Sequence, residues 1–188
     1  MTDESTVRPE RTTTNDDVTD IKERERALDI LVRNYPGMVY HCRDDEDWSM
    51  LYVNDGALGL TGYGNDDFVS QRISYESLIH ESDRERVRSS IREAIAARRP
   101  FDVEYRIRTR LGAEKNVREH GAGIFSTDGQ LLFLEGFISD VTIQRRTDAA
   151  LEKSERRYRE LFEQAPIGIF STASDGRALG VNPALARM

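Results

Sequence analysis

Three histidines, one cysteine and a run of four acidic residues are the side chains in this sequence with the strongest claim to chemistry. His41, His80 and His120 are scattered, without the short spacing by which imidazoles share a zinc ion, so no metal site is expected. Cys42 has no second cysteine to pair with, which excludes an internal disulfide, and it reads as a small residue in or near a core. Asp44, Asp45, Glu46 and Asp47 lack the alternating ligands and central glycine of a calcium loop and read as a solvated hairpin tip. No Walker loop, nucleophile elbow or dinucleotide fingerprint appears. The 188 residues leave room for neither a kinase nor a nucleotide cyclase catalytic domain, so the chain is not expected to be an enzyme by itself.

Binding rather than catalysis is then the question, and the elements that would shape a binding site can be read from periodicity. The chain is 38% hydrophobic and 32% charged, which suits a soluble globular protein. Its net charge of -7 speaks against a general nucleic-acid binder, since neutralising phosphates needs a basic face. Residues 1–20, "MTDESTVRPERTTTNDDVTD", carry too few apolar side chains to offset the entropy of ordering and are expected to form a disordered tail. They lack a signal-peptide core, and no run approaches the roughly 18 apolar residues of a membrane span, so a cytoplasmic location without membrane contact is expected.

Leu28, Leu31 and Tyr35 fall at helical spacing and predict a helix over 21–35, terminated by Pro36 and Gly37. Two short strands follow at about 37–42 and 49–54, then short helices and loops. Ser82 and Glu85 form a capping-box pattern ahead of a longer helix whose Val87, Ile91, Ala94 and Ile95 share a face. "FDVEYRIR" alternates strictly, and "KNVREHGAGIF" and "LLFLEGFISDV" continue it as a three-stranded meander. The fold class is therefore α+β: a five-stranded antiparallel sheet with helices across one face, flanked by helices at both ends. Val103, Tyr105 and Ile107 on the alternating strand should face Val87 and Ile91, with Leu78 near the rim. Those six residues are expected to line a pocket for a small apolar or amphipathic molecule. A filled core that only dimerises and spaces its neighbours is the alternative.

The chain also repeats itself. Pro36, and then Val53-Asn54, recur as Pro166 and Val181-Asn182, each time with an apolar strand, a polar turn and a short strand between them. Two matching units fit tandem globular domains, and the second holds only its opening quarter.

The order of "YVNDGALGLTGY", "LIHESDRERV", "FDVEYRIRTRLGAEKNVREHGAGIF" and "LEGFISDVT" resembles a PAS sensor domain, of the kind that precedes bacterial signalling enzymes. On that resemblance, residues 36–140 form a PAS domain, 141–165 a linker helix and possible coiled coil, and 166–188 the start of a second PAS domain. Two features depart from the family pattern. Glu81-Ser82 replaces the common Pro-Asp, and tryptophans are missing near Asn116 and Arg118. The histidine by which haem-binding relatives hold iron is absent from the long helix, and Cys42 lies outside the Asn-Cys-Arg motif of light-sensing LOV relatives. The cofactor, if there is one, stays unknown. Asp140 and Thr142 match the Asp-x-Thr that closes many such domains, which implies a signal relay through Asp140, Thr142 and either Arg145 or Arg146. Leu151, Tyr158, Leu161 and Ala165 trace a weak heptad-like seam in the linker. The resemblance implies a sensory or relay module in a two-component system, with a histidine kinase or diguanylate cyclase as the parent. Its expected partners are a second copy in a homodimer, the neighbouring PAS and output domains, and a small-molecule ligand.

Overall fold

The computed structural model describes residues 15–187. They fall into two compact units, one ending at Ser139 and the other beginning at Asp140.

The first unit runs α1 (Asn15–Asn34), β1 (Met38–Cys42), β2 (Met50–Val53), α2 (Gly56–Thr61), α3 (Asn65–Val69), α4 (Tyr75–Leu78), α5 (Glu81–Ala96), β3 (Phe101–Arg108), β4 (Glu114–Phe125) and β5 (Leu131–Asp140). The strands form one sheet in the order β2-β1-β5-β4-β3. Phe101, Val103, Tyr105 and Ile107 are buried while their neighbours are not, as two-residue alternation requires of a sheet covered on one face. β3 pairs antiparallel with β4 from Phe101 opposite Gly121 to Arg108 opposite Glu114. β1 lies inside the sheet, with Tyr40 opposite Val53 of β2 and Met38 opposite Ile138 of β5.

α5 packs on β3 through Val87, Ile91 and Ala94, all buried. Val87 and Ile91 each stabilise the fold by roughly 1.5–3 kcal/mol when fully removed from water, and the Ala94 methyl by about 0.8 kcal/mol. Its N-terminus corrects the sequence reading. His80 is the cap, its Nδ1 accepting the Ser82 amide at 3.3 Å, and Ser82 lies inside the first turn, so the Ser82–Glu85 capping box does not form. The Ser82 hydroxyl accepts from Arg106 instead, at 2.8 Å.

α1 begins at Asn15 rather than at 21, so the last six residues of the expected tail are helical and residues 1–14 lie outside the described residues. Asn54, buried just after β2, fastens the helix to the sheet. Its Oδ1 accepts the Val39 amide and its Nδ2 donates to the Val32 carbonyl, both at 2.8 Å. The start of α2 fits there only as glycine, since a Cβ on Gly56 would stand 1.9 Å from the carbonyl oxygen of Gly37.

The second unit comprises α6 (Thr142–Gln164), β6 (Phe170–Thr172), β7 (Ala178–Val181) and α7 (Pro183–Ala186). Asn182 repeats the Asn54 arrangement: its Oδ1 accepts the Ile169 amide at 2.8 Å, and its Nδ2 donates to the Ile167 carbonyl at 2.8 Å. The repeat read in the sequence is therefore a repeated hydrogen-bonding device as well as a repeated strand pattern. No helix among the described residues is long and apolar enough to cross a membrane.

Candidate functional site

Alternation along β4 turns Val117 and Glu119 inward, so a carboxyl group enters an otherwise apolar core. Glu119 is 6% exposed. The Tyr40 hydroxyl on β1 donates to its Oε1 at 2.5 Å and the Tyr105 hydroxyl on β3 donates to its Oε2 at 2.6 Å. Tyr75 on α4 joins through its hydroxyl, 3.1 Å from that of Tyr105. Three strands thus meet at a single carboxyl group, and one helix joins them through Tyr105.

Burial lifts the pKa of Glu119, because a charge deprived of water favours its neutral form, and the two tyrosine hydrogen bonds offset only part of that. The tyrosines answer in kind. Burial, and then the nearby Glu119 charge, push Tyr40, Tyr75 and Tyr105 far above the ordinary phenol value. Cys42 is raised by the same two causes, so its thiol stays protonated and is not a nucleophile. Among the described residues no Lys, Arg or His forms an ion pair with Glu119, and no three His, Cys, Asp or Glu side chains cluster as metal ligands. Such an arrangement can take up or release a proton, or accept a hydrogen bond or positive charge, at the centre of the sheet.

A cavity of about 10 Å3 lies beside the carboxyl, lined by Tyr40, Cys42, Trp48, Met50, Tyr75, Ile91, Glu119 and Leu134. That is about the space of one water molecule. Leu78, Val87, Ile91, Val103, Tyr105 and Ile107, expected to line an open pocket, are all brought together in the core. Only Ile91 borders the cavity, because the other five fill the space between sheet and helices themselves. Glu119 went unmarked in the sequence reading, although a Val117-x-Glu119-x-Gly121 alternation on a half-buried strand signals an inward carboxylate. Trp48 is the other omission. It follows the acidic turn, yet it is buried in the core with φ 47°, and the Arg88 guanidinium lies 4.6 Å from its ring centre.

The relay residues stand at the start of the second unit. Asp140 Oδ1 accepts the Thr142 amide at 2.9 Å just ahead of α6, whose cap position is Val141, while Arg145 and Arg146 are exposed near the helix start. Leu151, Tyr158 and Leu161 of the expected seam are exposed along the helix. The histidines are dispersed: His41 Nδ1 lies 2.8 Å from Glu135 Oε1, and His120 Nε2 lies 3.6 Å from Asp102 Oδ1. On the far side of the sheet a groove of about 600 Å3 runs between Val32 of α1 and Tyr52, His120, Ile124 and Phe137.

Residues 50–138 match a family model described as PAS fold, and residues 156–188 one described as PAS domain. The methyl sulfide methyltransferase-associated sensor of Methanosarcina acetivorans is 27% identical over 139 residues, covering 73% of this chain and 14% of that protein. Sensor protein FixL of Bradyrhizobium diazoefficiens is 28% identical over 140 residues, covering 69% of this chain and 26% of that protein. Among solved structures, a sensory box histidine kinase/response regulator from Burkholderia thailandensis superposes with a TM-score of 0.58 at 26% identity, covering 71% of this chain and 98% of that one. The chain thus spans only 14% and 26% of the length of these two curated relatives.

Proposed function

We propose, for a chain that belongs to the PAS family and is a sensory signalling module, that sensing occurs at Glu119 and leaves the domain through β5 and α6. The observation that carries this reading is the buried Glu119 carboxyl held by Tyr40 and Tyr105, with Tyr75 joined to it through Tyr105. A change in its charge or partners alters hydrogen bonds to β1 and β3 directly and reaches α4 through the Tyr105–Tyr75 contact. A ligand acts here by favouring one of two arrangements of those elements, and its effect is limited by its differential affinity for them. β5 pairs with β1 and runs on through Asp140, which holds the first turn of α6, so Asp140, Thr142, Arg145 and Arg146 are the relay.

In this reading the chain has no catalytic activity and serves a parent in which a histidine kinase or diguanylate cyclase supplies the output, within the cytoplasm. Dimerisation belongs to the same proposal. Leu28 and Leu31 of α1 are 61% and 68% exposed, the groove beyond Val32 is largely apolar, and α6 carries an exposed Leu151, Tyr158 and Leu161. A second copy would cover such surfaces.

Hydrogen exchange on Glu119→Gln tests the sensing route. The reading expects altered protection in β5 and in the first turns of α6, far from the substitution; a change confined to the core overturns it. The small cavity favours a second reading, a filled-core spacer module. That reading expects Glu119→Gln to leave α6 and the oligomeric state untouched.

A further inference from the structure

Resting on the core as the sensing site, we propose that Glu119 together with Tyr40, Trp48 and Tyr75 forms a binding site for a small organic ammonium ion, reached by displacement of Trp48. The cavity lining holds three aromatic side chains, one carboxyl group and otherwise only Cys42, Met50, Ile91 and Leu134. It contains no basic residue. Aromatic rings attract cations through their electron-rich faces, and a ring of them beside one carboxylate recognises alkylammonium groups that carry charge without needing an oxygen shell. A hard metal ion asks for six or more oxygen ligands, and this lining offers one carboxyl group. An anion meets only Glu119.

The charge balance points the same way. The Glu119 carboxyl has two hydroxyl donors and no countercharge, so ionising it in the resting protein leaves a buried charge uncompensated. A bound organic cation supplies that countercharge, and burial, which raises the pKa of the carboxyl, makes proton uptake the competing way to neutralise it.

Space comes from Trp48. A second pocket, of about 120 Å3, is lined by Asp47, Trp48, Ser49, Met50, Phe68, Gln71, Ile73 and Ser74. Trp48 and Met50 border both this pocket and the cavity at Glu119, so an indole that swings aside joins the two. Its left-handed backbone, uncommon for a bulky residue, is held by Arg88, which covers the ring and donates to the Asp45 and Glu46 carbonyls. Asp44, Asp45, Glu46 and Asp47 precede it on the same turn, which favours the arrival of cations.

Trp48 is the sole tryptophan, so its fluorescence reads the site directly. The intact chain is titrated with tetramethylammonium and with choline, against 3,3-dimethyl-1-butanol as choline's uncharged isostere and potassium chloride for ionic strength. Saturable shifts are expected for the two ammonium ions, with affinity at least tenfold weaker for the alcohol. Binding should strengthen as pH rises, because Glu119, faced by Tyr40, Cys42, Tyr75 and Tyr105, must release any proton it holds to solvent before the cation can take its place. Glu119→Gln should lose at least tenfold in affinity. Arg88→Ala keeps the cage and should speed association severalfold; it serves as the second variant if Glu119→Gln fails to fold. Equal response to the alcohol, an unchanged Glu119→Gln, or no response to either ammonium ion overturns the proposal. An altered α6 exchange in Glu119→Gln alongside absent ammonium binding removes this ligand class while leaving the sensing route standing.

Discussion

Arg106 of β3 holds Asp83 of α5 through three hydrogen bonds: its amide and Nε donate to Oδ2 at 3.0 and 2.9 Å, and its Nη2 to Oδ1 at 2.8 Å. Strand and helix are thereby joined next to the His80 cap. The Arg106 hydrogen bonds hold the Asp83 carboxyl below its ordinary range, at about 2. A depressed carboxyl stabilises the fold above its unfolded value of about 3.9, and that contribution disappears as pH falls toward the folded value. Asp83→Asn should cost about 1.5–3 kcal/mol at pH 7, as for hydrogen bonds to charged groups. Urea melts should show variant and wild type converging near pH 2; a constant difference down to that pH would contradict the assignment.

Glu119 has the opposite sign. Burial raises its pKa, so the form that the core tolerates is the protonated one, present at low pH and lost as pH rises from the unfolded value of about 4.3 through the folded value. Wild type should therefore lose stability relative to Glu119→Gln as pH rises. Urea midpoints for the pair between pH 5 and 8 check this through the slope of their difference.

Asn54→Ala removes the acceptor of the Val39 amide and the donor to the Val32 carbonyl. A cost of about 1–3 kcal/mol is expected from the buried group left without a partner. Amide exchange in the last turn of α1 should speed up, since that carbonyl is where the helix is tied; unchanged exchange there would place the anchor elsewhere.

Asp140→Ala removes the acceptor of the Thr142 amide and should cost about 1 kcal/mol, as for a typical single hydrogen bond, and leave the first unit folded. Combined with Glu119→Gln it should abolish the exchange response of α6 that the single Glu119 change produces. Persistence of that response in the double variant assigns Asp140 a local hydrogen bond alone.

Leu31→Glu places a charge on the exposed face of α1. It should alter the stability of a monomer by no more than about 0.5 kcal/mol, as for other surface sites. Sedimentation at tens of micromolar should show dimers for wild type and monomers for the variant; identical behaviour would move the dimer contact off α1.

The sheet was legible because its strands obey simple rules. Phe101 to Arg108 alternates apolar and charged residues without a break, and burial follows that alternation residue by residue. The repeated Val-Asn marked two hairpins because the same asparagine side chain serves the same backbone amide in both. The interior was harder. Whether Leu78, Val87 and Ile107 enclose space or fill it depends on how side-chain volumes add up across elements distant in sequence, and periodicity carries no volume. Trp48 escaped notice because polar neighbours mark its turn as solvated, while burial of one large ring overrides that local signal. Ser82 is the better cap by residue type, yet the helix starts at Glu81 behind His80, and the Ser82 hydroxyl accepts instead from Arg106 on a strand far along the chain.

Met38 lies opposite Ile138, and Cys42 opposite Leu134. The first and last strands of the domain are neighbours, so the middle of the sheet is a seam closed across nearly the whole length of the domain. Forming such a contact early requires closing a very long loop, which the chain entropy resists. The β3–β4–β5 meander can assemble on local pairings, leaving the β1–β2 hairpin to dock onto β5 afterwards. During synthesis, β1 waits without its partner edge until residue 138 has emerged. The domain becomes whole only when its end finds its beginning, and Tyr40 reaches Glu119 in that same late step.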